Sequence, residues 1–200
     1  MENSKMMKTA AVIDRILKIL KETAIVCSVI CLVFAVLTLL FGEKIVAHVD
    51  IVSIGPLRLT LKNGSSLLKE SALKTGLTLS LVFAAISLAI CVYGIRLIRK
   101  VLEPMKEGRP FDKGISETIK KLAWVALIGG AIIQVCGSIT KIAEIKAYDF
   151  SAFFAETVVT GLSFNGMIDC SFVVTACVLF LLSYVFRYGE ELQQESDETL

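Results

Sequence analysis

Four long apolar runs divide this chain, and each is about as long as an α-helix that crosses a lipid bilayer. About 20 helical residues cover roughly 30 Å of hydrocarbon. Hydrocarbon offers no water to the backbone, so a spanning segment must pair its own N–H and C=O groups, as a helix does. The runs cover residues 23–41, 76–98, 122–140 and 167–186. The sequence therefore predicts a membrane protein with four transmembrane helices.

Composition agrees with this class of protein. Hydrophobic residues make up 55% of the chain and the mean hydropathy is +0.73, whereas a soluble domain has about 45–50% apolar residues. The net charge is only +2, and no segment combines dense Lys and Arg with aromatic residues. We therefore expect no direct contact with nucleic acid. The prediction is a single membrane domain over residues 1–200, an all-α fold whose four spans form a transmembrane bundle.

The distribution of Lys and Arg predicts the orientation, because cations are retained on the cytoplasmic side during insertion. Of the 21 Lys and Arg residues, fourteen lie before the first run, between residues 96 and 121 (the second connection and the end of the second run) or directly after the fourth run. Seven lie in the connections 42–75 and 141–166. We therefore expect both termini in the cytoplasm and the two less basic connections outside the cell membrane.

Segments outside the four runs are expected to have structure of their own. Residues 12–20 place apolar side chains at helical spacing beside Lys18, which predicts an interfacial helix leading into the first span. Residues 46–61 partly alternate between apolar and polar around a Gly55-Pro56 break, and this pattern predicts a β-hairpin. With the β-rich segment 157–164, the hairpin is expected to form a small extracytoplasmic sheet.

Polar residues are scarce inside the runs. Gln134 lies near the middle of the third run, and we interpret it as a hydrogen-bonding residue between helices. Asp169 lies near the start of the fourth run, where a carboxylate can accept from the free N–H groups of a helix. A transporter would need a polar path through the membrane, and only these two residues point to one.

No residue pattern typical of catalysis or metal binding is present in the runs. All six cysteines lie within them, but no run contains a histidine and no Cys-x-x-Cys pair occurs. The runs also lack paired acids, or a nucleophile beside a base. We therefore expect no metal, no cofactor and no enzymatic activity.

Small residues recur on the second and third runs. Gly76, Ser80 and Ala84 repeat every four residues, and Gly129 and Gly130 are adjacent. Such residues let helix backbones approach closely. The contact is expected either between helices of one chain or between copies, so a homo-oligomer is an open alternative.

The connection 99–121 is basic and contains two predicted helix breaks. One is expected at Pro104 and the other at 108–110, after which the chain re-enters as a helix capped by Asp112 or Ser116. Opposite in sign is the segment 187–200, which contains five acids and no cation after Arg187. The two segments are complementary in charge. The candidate partner-binding residues are Arg109, Phe111, Glu190, Glu191, Glu195, Asp197 and Glu198.

Two short motifs resemble a known family. They are Lys-Glu-Gly-Arg-Pro-Phe-Asp at 106–112 and Tyr-Gly-Glu-Glu-Leu-Gln-Gln-Glu-Ser-Asp-Glu-Thr-Leu at 188–200. With the four-span layout, they resemble a bacterial family of four-span membrane proteins of unknown function. Members are often encoded beside a small Cro/CI-like helix-turn-helix regulator. The resemblance implies a membrane partner for that regulator and assigns no catalytic residue.

Two functional hypotheses follow. The first is a membrane anchor, or a signal-responsive partner, of a cytoplasmic transcription regulator, with the acidic segment 187–200 competing with DNA phosphate for a basic module. The second is a structural or accessory subunit of a membrane assembly, or a small transporter. In both cases the lipid bilayer is the first partner.

Overall fold

Four long helices make up most of the computed structural model, which describes residues 2–46, 51–54, 57–60, 70–109, 111–147 and 169–198. All four helices are long and apolar enough to cross a membrane. The predicted set of four apolar helices is therefore confirmed. Their bounds are Glu2–Val46 (α1), Glu70–Lys106 (α2), Ile115–Ala147 (α3) and Ser171–Glu198 (α4).

The helices are longer than the apolar runs that they contain. Helix α1 has 45 residues, or about 67 Å, which is more than twice the thickness of the hydrocarbon. The stretch predicted as an interfacial helix is continuous with the first span, and α1 kinks at Phe41, the last residue of the first run. Helix α4 continues past Phe186 to Glu198. Polar helical segments therefore extend from the apolar part of the protein.

Helix α2 ends in a Schellman motif, a backbone arrangement that satisfies its last carbonyl groups. The N–H of Arg109 donates to the C=O of Pro104 at 3.0 Å, and the N–H of Gly108 donates to the C=O of Met105 at 3.2 Å. Gly108 has φ +80°, a left-handed conformation that Gly adopts without a Cβ clash.

The predicted helix break at Pro104 is wrong, because α2 continues through this residue to Lys106. Proline removes one backbone donor and crowds the preceding turn. In the last turn, that disturbance is confined to the final hydrogen bonds of the helix. The Gly108 conformation, rather than the proline, ends α2.

Two short strands pair antiparallel in the connection after α1. They are Ile51–Ile54 (β1) and Leu57–Thr60 (β2), with Ile51 opposite Thr60. The segment 157–164, predicted to extend this pair, lies outside the described residues. The extracytoplasmic sheet therefore stays a prediction, and the four helices define the architecture.

The chain forms two compact units. The first consists of the described residues of Met1–Ser28, Ile86–Gln134 and Asp169–Leu200, and the second of those of Val29–Ala85 and Val135–Ile168. In the second unit α1 contacts α2, where the hydroxyl groups of Thr38 and Thr78 lie 3.2 Å apart. Each hydroxyl also lies within hydrogen-bonding distance of a carbonyl of its own helix, so one of the two donates to the other and its partner donates to a carbonyl.

In the first unit, two adjacent glycines place α3 against two neighbouring helices. A Cβ added to Gly129 would lie 2.6 Å from Cγ2 of Ile90 in α2, and one added to Gly130 would overlap Phe172 in α4. Adjacent helix positions face directions about 100° apart. Gly129 and Gly130 therefore let side chains of α2 and α4 approach the α3 backbone on two sides, and any larger residue at either position would overlap them.

An ion cluster joins α1 to the end of α2 in the first unit. The Arg99 Nε donates to Asp14 Oδ1 at 2.8 Å, and Lys106 Nζ donates to Oδ2 of the same carboxylate. The Asp14 side chain is only 16% exposed, so the charge is partly withdrawn from water. Hydrogen bonds from Arg99 and then Lys106 lower the pKa of the Asp14 carboxyl to about 2. Asp14 precedes the first apolar run by nine residues, and Arg99 and Lys106 follow the second, so the cluster lies outside the four apolar runs.

Replacing Asp14 removes the charge that the two cations share. We expect Asp14→Asn to lower the apparent melting temperature in mild detergent by about 2–4 °C. The matched control is Glu22→Gln, because Glu22 is exposed and pairs with the adjacent Lys21. The control should shift the melting temperature by less than about 1 °C. Equal effects of the two substitutions would contradict a structural role for the cluster.

The cluster also gives a pH dependence. An unfolded Asp has a pKa of about 3.9, and the pKa of Asp14 in the fold is about 2. Its carboxylate therefore stabilises the fold fully above the unfolded pKa and loses this contribution as the pH falls towards the folded pKa. The melting-temperature difference between wild type and Asp14→Asn should be the same at about pH 7 and about pH 5 and should shrink below about pH 4.

Candidate functional site

The start of α3 contacts the end of α4 through a polar and aromatic interface, which we call the α3–α4 junction. It consists of Phe111 and Ser116 on one side and Ser183, Phe186, Gly189 and Glu190 on the other. Both sides belong to the first unit. The junction joins the basic connection to the acidic segment, the two parts of the chain that the sequence marks as complementary.

A carboxylate from α4 caps the N-terminus of α3. The carbonyl of Gly114 accepts the first helical hydrogen bond of α3, from Thr118 N–H at 3.2 Å, so the N–H groups of the first turn have no partner within their own helix. Glu190 Oε1 accepts from the N–H of Ser116 at 2.6 Å, and Oε2 accepts from the Ser116 hydroxyl at 3.0 Å. The negative charge also opposes the positive end of the α3 dipole.

Ser116 contacts α4 through its carbonyl as well. The hydroxyl of Ser183 donates to the C=O of Ser116 at 2.9 Å, and both serines are buried. The N–H, hydroxyl and carbonyl of Ser116 are thus all bonded to α4. A buried polar group left without a partner would cost about 1–3 kcal/mol, so these three bonds fix the position of the two helices at the junction.

Aromatic packing completes the junction. The rings of Phe111 and Phe186 have centroids 5.5 Å apart at an angle of 47°. The ring of Phe111 also lies against Gly189, where a Cβ would overlap it. Nearer the apolar run, Trp124 and Phe180 meet edge to face, with centroids 5.4 Å apart. Gly189 is therefore the position in α4 that lets the Phe111 ring approach.

The structure brings only some of the predicted partner-binding residues together. Phe111 and Glu190 lie in the junction, so they serve an internal contact. Arg109 is exposed, and its backbone N–H belongs to the Schellman motif. The helix cap predicted from Asp112 or Ser116 is wrong: the Asp112 carboxylate accepts from the N–H of Lys113 at 2.8 Å, and the cap comes from Glu190.

The other acids of α4 lie on its surface. Glu191 accepts from Arg187 Nε at 3.3 Å and keeps 62% of its side chain exposed. Glu198 is exposed and accepts from Gln194 Nε2 at 3.0 Å, and Glu195 is also exposed. The side chain of Asp197 lies outside the described part of the chain. Three acids beyond the cap are therefore accessible to a partner.

Of the two residues proposed within the spans, one lies in a helix and the other does not. Gln134 is half-buried on α3. Asp169 precedes α4 by two residues, and its carboxylate accepts from the N–H of Ser171 at 2.8 Å. Hydrogen bonds from Ser171 lower the pKa of Asp169 below its usual value. The fourth run begins at Met167, but α4 begins at Ser171. Asp169 is therefore an acid at the helix start rather than a charge inside a span.

Sequence reasoning missed Ser183, Phe186 and Asp14. The first two look like ordinary members of an apolar run, because nothing in the sequence shows which helix end they meet. Asp14 offers a signal, because it is the only acid between residues 6 and 21, a stretch that contains four cations. In the described residues, no three His, Cys, Asp or Glu side chains come together as metal ligands would.

Removing the cap should destabilise the fold. We expect Glu190→Ala to cost about 1–2 kcal/mol, because it leaves a buried N–H and a buried hydroxyl without their acceptor. Glu191→Ala is the matched control, since it removes an exposed carboxylate from the next position and should change the free energy of unfolding by less than about 0.5 kcal/mol. Unfolding of both variants in one detergent measures the difference. Equal losses would show that the cap contributes nothing.

Gly189→Ala tests the approach of the Phe111 ring. In the wild-type background the new methyl group overlaps the ring, and we expect a loss of about 1–3 kcal/mol. In a Phe111→Ala background the overlap is gone, so the higher helix propensity of Ala should make the same change stabilising by about 0.5–1 kcal/mol. Unfolding of the four proteins measures this reversal of sign. An effect of the same sign and size in both backgrounds would refute the contact between Gly189 and the Phe111 ring.

Comparison with known proteins identifies a family. Residues 59–200 match the family described as "protein of unknown function (DUF2975)". No curated protein and no solved structure matches the chain. The matched segment covers more than half of the chain and includes α2, α3, α4 and the whole of the α3–α4 junction. The chain therefore belongs to the DUF2975 family of proteins of unknown function.

Proposed function

We propose that this protein is a membrane anchor that docks a basic cytoplasmic protein on the acidic end of α4. The observation that supports the proposal is the continuity of α4. One helix, Ser171–Glu198, contains both residues 171–186 of the fourth apolar run and the acids that follow it. A surface at the end of such a helix stays at a fixed distance from the bilayer.

Three exposed acids form one stripe on this helical extension. Glu191, Glu195 and Glu198 are spaced four and three residues apart, which places them on the same helix face. No Lys or Arg follows Arg187 in the sequence. This acidic stripe therefore presents a local negative charge although the whole chain has a net charge of +2. A basic protein surface is its complementary partner.

The α3–α4 junction makes this surface more suitable for binding than a free tail. The Glu190 cap and the Phe111 contact hold α4 just before the stripe begins. A disordered segment loses conformational entropy when it binds, whereas a surface ordered in advance does not. The junction therefore raises the affinity that three carboxylates alone can provide.

A DNA-binding regulator is the partner that fits this charge and the family resemblance. Such a module presents a basic surface to phosphate, and carboxylates held at the membrane compete for the same surface. Docking would keep the regulator from its DNA. A helix-turn-helix protein of the Cro/CI type is accordingly our proposed partner.

The proposal requires the acidic stripe to lie in the cytoplasm. The excess of Lys and Arg at the second connection and before the first run supports this orientation. The connection containing β1 and β2 then lies on the outer side, where a signal can reach the protein. A signal that changes the exposure of the stripe would release the regulator.

The alternative, an accessory or structural subunit, needs no acidic surface. A transporter is less well supported, because Asp169 binds the first turn of α4 rather than lying inside a helix. The two classes predict different partners. The regulator model predicts a soluble basic protein, and the subunit model predicts other membrane proteins.

The test is affinity purification from native membranes in mild detergent, with co-purifying proteins identified by mass spectrometry. Glu195→Gln/Glu198→Gln removes two of the three charges of the stripe but keeps the Glu190 cap and the Arg187–Glu191 pair. Glu103→Gln/Glu107→Gln is the matched control, since both residues are exposed near the end of α2. A helix-turn-helix protein should co-purify with wild type and control and be reduced at least about tenfold with the stripe variant. Recovery of the same proteins from all three would refute the docking role.

A further inference from the structure

An open groove of about 580 Å³ runs along the α3–α4 junction. One side presents Lys113, which precedes α3 by two residues, together with Glu117 and Lys120, which lie three residues apart on one face at the start of α3. The other presents a stripe of α4 that begins with Phe180 and Tyr184. The floor is formed by Ser116, Ser183 and Glu190, whose polar groups already bond to one another. Only the walls are therefore available to a ligand.

The groove changes from apolar to charged along α4. Phe180 and Tyr184 lie inside the fourth apolar run, whereas Arg187 and Glu191 follow it by one and five residues. Tyr184 is 67% exposed. On the facing helix, Lys120 precedes the third apolar run by two residues. The groove thus crosses the boundary between hydrocarbon and water, whichever side of the membrane it faces.

The walls contain charges of both signs. Lys113, Lys120 and Arg187 are the cations of the groove. Its exposed acids include Glu117, which lies 4.0 Å from Lys121, and Glu191, which pairs with Arg187. Asp112 and Glu198 also line the groove. A purely anionic ligand would meet repulsion from the carboxylates, and a purely cationic one would meet it from the three cations. A ligand with both charges, held a short distance apart, is complementary to these walls.

We propose that this groove binds a phospholipid whose headgroup contains both a phosphate and a primary ammonium group, as phosphatidylethanolamine does. Lys113, Lys120 and Arg187 pair with the phosphate. Glu117 and Glu191 accept hydrogen bonds from the ammonium group, which a quaternary ammonium cannot donate. The acyl chains lie along Phe180 and Tyr184, which form the apolar end of the groove. The proposal does not rest on the docking role, although Glu191 and Glu198 belong to both the groove and the acidic stripe.

The test is native mass spectrometry of the full-length protein in detergent. Phosphatidylethanolamine, phosphatidylglycerol and phosphatidylcholine with identical acyl chains are added at equal concentrations. Wild type should retain phosphatidylethanolamine most strongly. In Lys113→Gln/Lys120→Gln its occupancy should fall about fivefold or more. Lys18→Gln/Lys100→Gln is the matched control, because it removes two exposed cations outside the groove and should leave occupancy unchanged.

Selectivity gives a second readout that does not depend on stability. Glu117→Gln removes an acid from the wall, so phosphatidylglycerol should gain occupancy relative to phosphatidylethanolamine by about threefold or more. Glycerophosphoethanolamine, the headgroup without acyl chains, should not displace the lipid at an equal concentration. Displacement by it would instead identify a site for a soluble phosphate ester.

Three results would overturn the proposal. The first is equal binding of the three lipids to wild type, and the second is equal phosphatidylethanolamine occupancy in wild type and Lys113→Gln/Lys120→Gln. The third concerns chemical acylation of Lys113 and Lys120: a basic amphipathic peptide protects the two lysines from it, and phosphatidylethanolamine does not. That result would make the groove a protein-docking site.

Discussion

The first turn of α3 contains N–H groups that no carbonyl of its own helix can reach, and the carboxylate of Glu190 accepts one of them. Because Glu190 belongs to α4, a local requirement of one helix becomes a contact between two. Ser183 and the ring of Phe111 then pack beside this bond. The position of the acidic stripe depends on this interaction, since the stripe begins at the next residue.

Two kinds of constraint shape this chain. Within the apolar runs, the absence of water requires helical hydrogen bonding and leaves side chains free to face lipid. Outside them, polar contacts decide where each helix ends and what it meets. The Schellman motif at Gly108 ends α2, and the Asp14 cluster joins that end to α1. The residues most informative about function are therefore at the water boundary, where the lipid groove and the acidic stripe also lie.

The sequence predicts the helices well because hydropathy depends on the local run of residues. The turn at Gly108 is also predictable from the local sequence, because only a residue without a side chain adopts φ +80° freely. The choice of Glu190 as the cap could not be predicted, because five acids in one segment look alike until α3 is placed beside α4. The break predicted at Pro104 is wrong because the effect of a proline depends on its position in the helix, and Pro104 lies in the last turn of α2. The interpretation of Asp169 as an acceptor for the first N–H groups of the fourth helix is confirmed by its bond to Ser171. Only the start of the fourth run is too early, because hydropathy does not mark where the first helical bond forms.

Amide hydrogen exchange in lipid nanodiscs measures whether the end of α4 is an ordered helix held by the Glu190 cap. We expect slow exchange at Ser116 and from Tyr188 to Gln194 in the wild-type protein. In Glu190→Ala both segments should exchange faster, while the amides of 173–180 stay unchanged. Fast exchange throughout 188–194 in the wild type would show that the acids lie on a free tail and that the Glu190 cap does not hold the end of α4.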